Sequence, residues 1–225
     1  MKTIVVGDIH GCYNELKELM IDLKENQEYN ENTDRLIFLG DYIDRGDDSY
    51  KVVQYIKELQ KENSNVIALM GNHEKMCIEY MTEHKDTWLW NGYEYTLDSY
   101  GNYKELLKDI EWMDNLPLYY EDENFIYVHA GINPNKSLKN NSEYELLWVR
   151  ESFIYNPQKF NKKVIFGHTP SQNMTGETKP YETYTGNIGI DTGCVYGGCL
   201  TALIIEDDKI KKFYQIDNKN LNKQN

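Results

Sequence analysis

Apolar positions in the first seventy residues alternate between two spacings. Residues 3–6 (Thr3, Ile4, Val5, Val6) form a short β-branched run that stops at a glycine and an aspartate. Leu16, Leu19, Met20 and Leu23 then recur at i, i+3, i+4 and i+7, the signature of one buried helix face. The cycle repeats with a run at 35–39 and a helical face of Val52, Ile56 and Leu59, and a third run follows at 66–70. This βαβαβ order predicts parallel strands with right-handed crossovers. Functional groups in such sheets collect beyond the carboxyl ends of the strands. Further runs at 125–128 and 164–166 predict a fourth and a fifth strand, and 144–155 reads as one helix. Residues 181–217 alternate β-rich runs with glycine turns, as antiparallel strands do. Between these parts, 80–124 is rich in Trp and Tyr, with Tyr103, Leu106, Leu107, Ile110 and Met113 marking an amphipathic helix. It is expected to be a helical insertion beside the sheet edge. The whole reads as one domain over 1–217 with a polar tail at 218–225.

Composition narrows the partners. The chain has 225 residues, 37 acidic against 24 basic side chains, and a net charge of −13. Nucleic-acid binders neutralise phosphates with Lys and Arg, so this balance argues against that class, and equally against an anionic membrane surface. The longest apolar run, 199–205, is far short of the ~20 residues a membrane helix needs. Asp8 interrupts the N-terminal apolar stretch too early for a signal peptide. The four cysteines are too few for a disulfide scaffold and form no CxxC pair. A cytoplasmic protein with reduced thiols is expected.

The candidate chemistry sits where the apolar runs end. His10, His73, His129 and His168 each follow such a run, and only His84 does not. Asp8, Asp41, Asp44 and Asn72 hold equivalent positions. One histidine after a strand is ordinarily a loop residue, but five strand ends carrying such groups form a constellation. Imidazole nitrogen with carboxylate and amide oxygen suits Mn, Fe, Co, Ni or Zn, whereas calcium prefers oxygen alone.

Three motifs carry a resemblance: Gly7-Asp8-Ile9-His10-Gly11, Gly40-Asp41-Tyr42-Ile43-Asp44-Arg45-Gly46 and Gly71-Asn72-His73-Glu74. In this order and spacing they resemble the signature of the phosphoprotein phosphatases, within the calcineurin-like metallophosphoesterase superfamily. The likeness continues through His129-Ala130-Gly131, Leu146 to Arg150, Gly167-His168-Thr169-Pro170 and Ile190-Asp191-Thr192-Gly193. The compact length is similar to the bacterial and bacteriophage serine/threonine phosphatases. The resemblance implies an α/β fold, a sandwich of two β-sheets with helices on both outer faces. It implies two divalent transition-metal ions, Mn²⁺ above all. Asp8 and His10 would hold one, Asn72, His129 and His168 the other, with Asp41 bridging. Arg45 and Arg150 would hold phosphate oxygens, and His73, oriented by Asp44, would protonate the leaving group. Such a metal pair activates a water nucleophile at neutral pH. The implied substrate is a phosphorylated protein or a small phosphoester.

Several positions have plainer readings. Arg150 falls on the predicted helix, where ion pairing with Glu151 competes with phosphate binding. Glu74 reads as a first-turn helix charge, and Asp191 as a turn former outside the site. Cys194 and Cys199 share one hairpin without two further soft ligands nearby in sequence, so they read as packing thiols. A symmetrical diadenosine tetraphosphate hydrolase is the alternative activity. Its third motif usually ends in Asp where Glu74 stands, which favours the protein phosphatase. A non-catalytic phosphate-binding module is disfavoured because no ligand position is lost.

Overall fold

The computed structural model describes residues 1–26 and 28–218. The order begins β1 (Lys2–Val6), α1 (Tyr13–Glu25), β2 (Arg35–Phe38), α2 (Ser49–Glu62), β3 (Val66–Ala68), α3 (Asn72–Glu83), α4 (Tyr93–Tyr100) and α5 (Tyr103–Asp114). It continues with β4 (Tyr119–Glu121), β5 (Phe125–Val128), α6 (Glu143–Trp148), α7 (Glu151–Ile154), β6 (Lys163–Phe166) and α8 (Ser171–Thr175). β7 (Tyr181–Glu182), β8 (Ile188–Gly189), β9 (Cys199–Glu206) and β10 (Lys209–Asp217) complete it.

The strands form two five-stranded sheets, β10-β9-β1-β2-β3 and β4-β5-β6-β8-β7. β1, β2 and β3 are parallel, as are β5, β6 and β8, while β9, β10, β4 and β7 run antiparallel to their neighbours. The strand period of two explains why so many strands are apolar on every residue. Val5, Ile37 and Leu203 point between the sheets, toward Phe125, Tyr127 and Ile165. Ile4, Val6, Leu36 and Phe38 point the other way, onto α1 and α2 through Leu16, Leu19, Val52 and Ile56. Ile126, Val128, Val164 and Phe166 face outward from the second sheet under Leu146, Phe153 and Ile154. Both faces of each central strand are therefore covered, as parallel strands require. The expected sandwich with helices on both outer faces is the observed fold. Among the described residues, no helix is long and apolar enough to cross a membrane.

Three local expectations are corrected. The region 144–155 is two helices, broken at Val149 and Arg150, whose backbone angles leave the helical range. The break aims the Arg150 side chain at the β6 end instead of along a helix face. The 80–124 segment is not wholly helical, because β4 joins the second sheet by pairing with β5. The expected polar tail at 218–225 starts one residue too early, since Asn218 is buried and donates its Nδ2–H to the Cys194 carbonyl at 3.0 Å. Residues 219–225, the rest of the expected tail, lie outside the described residues.

Candidate metal centre and adjoining cleft

Asp8, Asp41, Asn72, His129 and His168 each lie within a few residues of the carboxyl ends of β1, β2, β3, β5 and β6. Both sheets present those ends at one edge, so residues from distant stretches of chain meet there. The loops that hold them are strained. His10, Asp41, Asp44, Arg45 and His168 all have positive φ, between 45° and 71°, a region L-residues avoid. Strained backbone of this kind persists where surrounding contacts over-determine it, and it clusters at functional sites. Close approach also requires two glycines. A Cβ on Gly71 would stand 2.2 Å from Asp41 Oδ1, and one on Gly167 would stand 2.0 Å from Asp8 Oδ1.

Asp41 lies at the centre. Its Oδ2 is 3.3 Å from His10 Nε2, its Oδ1 is 3.5 Å from His129 Nε2, and Oδ1 accepts the His73 N–H at 3.0 Å. His10 donates Nδ1–H to the Ile43 carbonyl at 2.8 Å, and His129 donates Nδ1–H to the Leu39 carbonyl at 3.0 Å. In both rings the backbone thereby takes the proton-bearing nitrogen and leaves Nε2 with a bare lone pair. His129 Nε2 faces Asn72 Oδ1 at 2.9 Å and His168 Nδ1 at 3.2 Å. Lone pairs converging in this way repel one another unless a cation lies between them. Atoms held ~2.1 Å from one ion at right angles are ~3.0 Å apart, close to the spacings seen here. Asp8 Oδ2 accepts the His168 N–H at 2.9 Å, while Asp8 Oδ1 and His168 Nε2 are buried without a hydrogen-bond partner. Two overlapping groups, His10–Asp41–His73 and Asp41–His129–His168, have donors within 4.8 Å of one another. The residues present therefore fit divalent cations, with Asp41 common to both groups.

Charge states agree with that fit. Burial lowers His168 and brings His129 down to about 4, so these two rings are neutral near pH 7 and able to ligate; burial also lowers His73, but there the Asp41 and Asp44 carboxylates act in the opposite sense and favour the protonated ring. Burial opposes ionisation of Asp41, yet His129, His73 and His10 hold it well below the usual carboxylate range. Burial and the Asp191 and Asp41 carboxylates push Asp8 well above that range.

His73 belongs to the first group by distance, but its own contacts set it apart. Its Nδ1 lies 2.6 Å from Asp44 Oδ2, so Nε2 is the ring nitrogen left for another partner. Asp44 is itself clamped. Trp88 Nε1–H donates to both its oxygens at 2.9–3.0 Å, and Thr96 Oγ1–H donates to Oδ1 at 2.6 Å. Trp88 and Thr96 come from the aromatic segment, and nothing in their sequence context marked them. Glu74 is likewise more than a helix charge. Its buried carboxylate accepts the amides of Gly71, Asp41, Tyr42 and Ile43 at 2.8–3.3 Å, tying the Asp41 loop to α3.

An open cleft of about 580 Å³ adjoins the centre, with Arg45, Arg150, His168 and Asp191 in its wall. Arg45 Nη1 is 2.7 Å from His10 Nε2, and its guanidinium lies 5.6 Å from the Tyr196 ring centroid. Arg150 is not paired with Glu151; it donates to the His168 carbonyl at 2.7 Å and to Thr169 Oγ1 at 3.2 Å. Asp191 does shape a turn, accepting the Gly193 N–H at 3.0 Å, but it also lines this cleft and is raised to about 6 by burial. The remaining wall includes Tyr155 and Tyr196, both more than half exposed. All of it comes from Arg45 and from residues beyond 149, and none of it from the aromatic-rich 80–124 segment.

Residues 1–188 match the calcineurin-like phosphoesterases, and the chain belongs to that family. It is 30% identical over 177 residues to a symmetrical bis(5'-nucleosyl)-tetraphosphatase of Coxiella burnetii, covering 76% of this chain. The chain spans about half of that relative, 55% of its length. It is 32% identical over 225 residues to the asymmetrical bis(5'-nucleosyl)-tetraphosphatase PrpE of Oceanobacillus iheyensis, covering 90% of this chain and 88% of that protein. A crystal structure provisionally named a diadenosine tetraphosphatase shares the fold, with a TM-score of 0.71 at 22% identity over 97% of this chain and 94% of that one.

Proposed function

We propose that this protein hydrolyses dinucleoside polyphosphates, in place of the serine/threonine protein phosphatase activity expected from the motifs. The observation that carries the reading is the meeting of Arg45 and Arg150 with His168 on one open cleft beside the Asp41-centred donors. Two guanidinium groups suit a chain of several phosphates, because each planar fork takes two oxygens. The tyrosines on the same wall suit nucleobases. The relatives named as dinucleoside tetraphosphatases support the same choice. Glu74 no longer argues against it, since that carboxylate builds the Asp41 loop and stays clear of any substrate.

In this reading Asp8, His10 and Asp41 hold one divalent ion, and Asp41, Asn72, His129 and His168 hold the other. Mn²⁺ and other first-row ions suit these donors. When bound, such ions activate a water nucleophile and offset phosphoryl charge. Arg45 and Arg150 would bind the phosphate oxygens and orient the phosphate chain beside these donors. His73 presents the proton on Nε2 to the departing oxygen, and Asp44 on Nδ1 stabilises the charged ring until the proton moves. Trp88 and Thr96 keep Asp44 from turning away.

Phosphoserine hydrolysis is the second reading, favoured by one feature. The buried Asp44–His73 pair suits a strongly basic alkoxide leaving group better than a nucleotide, which needs less protonation. The test is a side-by-side rate measurement on diadenosine tetraphosphate and a phosphoserine peptide, with Mn²⁺ added. Faster dinucleotide cleavage is expected, and the products, two ADP or AMP with ATP, assign symmetrical or asymmetrical attack. The reverse ranking would establish the phosphatase. No rate above an Asp41→Asn control would remove both.

A further inference from the structure

Beside the His10 loop, at the start of α1, lies a second group of ligating side chains. Cys12 precedes α1 and Glu15 stands in its first turn, three residues apart and so on one helix face. Cys194 opens the 3₁₀ turn Cys194–Tyr196 and reaches the same spot from the other end of the chain. The ligand atoms of Cys12, Glu15 and Cys194 all lie within 4.8 Å of one another, and all three residues are buried. Cys194 shares its hairpin with Cys199, but the Cys199 thiol donates to Asp217 Oδ1 at 3.1 Å. The fold thus separates the hairpin cysteines and supplies Cys194 with different partners.

The composition of this group contrasts with the Asp41 centre. Two sulfurs and a carboxylate favour thiophilic ions such as Zn²⁺ over Mn²⁺ or Mg²⁺. Sulfurs bound tetrahedrally at ~2.3 Å lie ~3.8 Å apart, within the span observed here. A second cleft of about 310 Å³, with Cys12, Glu15, Arg45, Asp47, Asp48 and Asn218 in its wall, reaches the group from solvent and shares Arg45 with the first. It gives an ion a path in, where the Asp47 and Asp48 carboxylates offset the Arg45 charge, and gives a water the fourth position. Asn218 Nδ2, which donates to the Cys194 carbonyl, lies 3.8 Å from Cys12 Sγ, where an amide N–H stabilises thiolate charge.

We propose that Cys12, Glu15 and Cys194 form a second metal site that binds Zn²⁺ independently of the Asp41 centre. Binding forms two Zn–S bonds and one Zn–O bond and releases the two thiol protons to solvent. The ion ties the start of α1 to the 3₁₀ turn before β9. It therefore braces the loop that carries His10, two residues before Cys12.

Cobalt(II) is the probe. The purified full chain titrated with Co²⁺ should develop a thiolate-to-cobalt charge-transfer band in the near ultraviolet, which nitrogen and oxygen ligands at the Asp41 centre cannot produce. Zn²⁺ should displace it. Cys12→Ser and Cys194→Ser should each abolish the band and lower zinc content by one equivalent. Glu15→Gln, which keeps both thiols, should weaken Co²⁺ binding ~10-fold or more and covers the case in which a serine variant does not fold. A wild-type protein with both thiols titratable and no band overturns the proposal. So does a band that survives these substitutions, or a Cys12–Cys194 disulfide in the protein purified with reductant.

Discussion

The buried donors around Asp41 and the open cleft beside them are built on opposite principles. Around Asp41, nearly every polar atom is fixed by backbone: Ile43 and Leu39 carbonyls set two ring tautomers, and the Gly71, Tyr42 and Ile43 amides bind Glu74, which holds the loop. The cleft is held by few contacts, with Tyr155 67% and Tyr196 54% exposed. Burial in the first region makes each lone pair costly unless matched, which fixes residue type at each position. Exposure in the second leaves side chains free to vary with the substrate. The motifs therefore mark the buried donors, and the cleft is the part left free to differ.

The largest expected effect tests the division within the buried region. His73→Asn should lower kcat on an alkyl phosphoester by ~10²–10⁴-fold and lower it much less on p-nitrophenyl phosphate, whose leaving group needs little protonation. Equal losses on both substrates would make His73 a ligand and not the acid. Next comes the cleft. If Tyr155 stacks on a base, Tyr155→Ala should raise KM for diadenosine tetraphosphate about 10-fold and leave p-nitrophenyl phosphate unchanged. An identical change with both substrates would place the cleft wall outside recognition and blur the distinction between the regions.

Smaller effects bear on how tightly the buried region is set. Trp88→Phe removes the donor to both Asp44 oxygens and should cost roughly 1.5–3 kcal/mol of stability, read by urea unfolding. Its kcat should fall in the same substrate order as for His73→Asn. The smallest effects concern pH in chelator-treated protein. His129 titrates near 4 folded against an ordinary 6.5, so the unfolded chain binds more protons between those values. The Tm advantage of wild type over His129→Gln should narrow as pH falls from 6.5 to 4. Asp191 is shifted the other way, from 3.8 to about 6, so it binds protons earlier when folded. The advantage over Asp191→Asn should widen as pH falls through 6. Parallel slopes in thermal melts of the two pairs would contradict both assignments.

Strands were legible because burial on two faces leaves near-continuous apolar runs, as at 125–128, where prediction and observed β5 coincide. Helices α1 and α2 showed through their apolar spacing. α4 was not legible, since its eight residues bury only Thr96 and Tyr100 and leave no periodic face. β4 was hidden because its three residues are all partly exposed and become a strand only by pairing with β5. The break at Arg150 was hidden too: Leu146, Leu147, Phe153 and Ile154 satisfy a helical pattern on either side of it.

In the site, the ten expected residues lie close to one another. Nine were legible because their motifs place glycine and donor groups just after an apolar run, and Arg150 only through the family resemblance. Trp88 and Thr96 were not, because their partner Asp44 is distant in sequence and their neighbours are ordinary aromatic and polar residues. The same distance hid the partners of Cys194.

The sequence by itself determined the family and the set of donors at the strand ends. Lone-pair donors at strand ends must be matched by cations, and that demand constrains residue type locally enough to be read as motifs. Only the tertiary structure decided which arginines and tyrosines share a cleft and which thiols meet a carboxylate. Those juxtapositions depend on where two sheets and their loops come to rest. No local spacing encodes them.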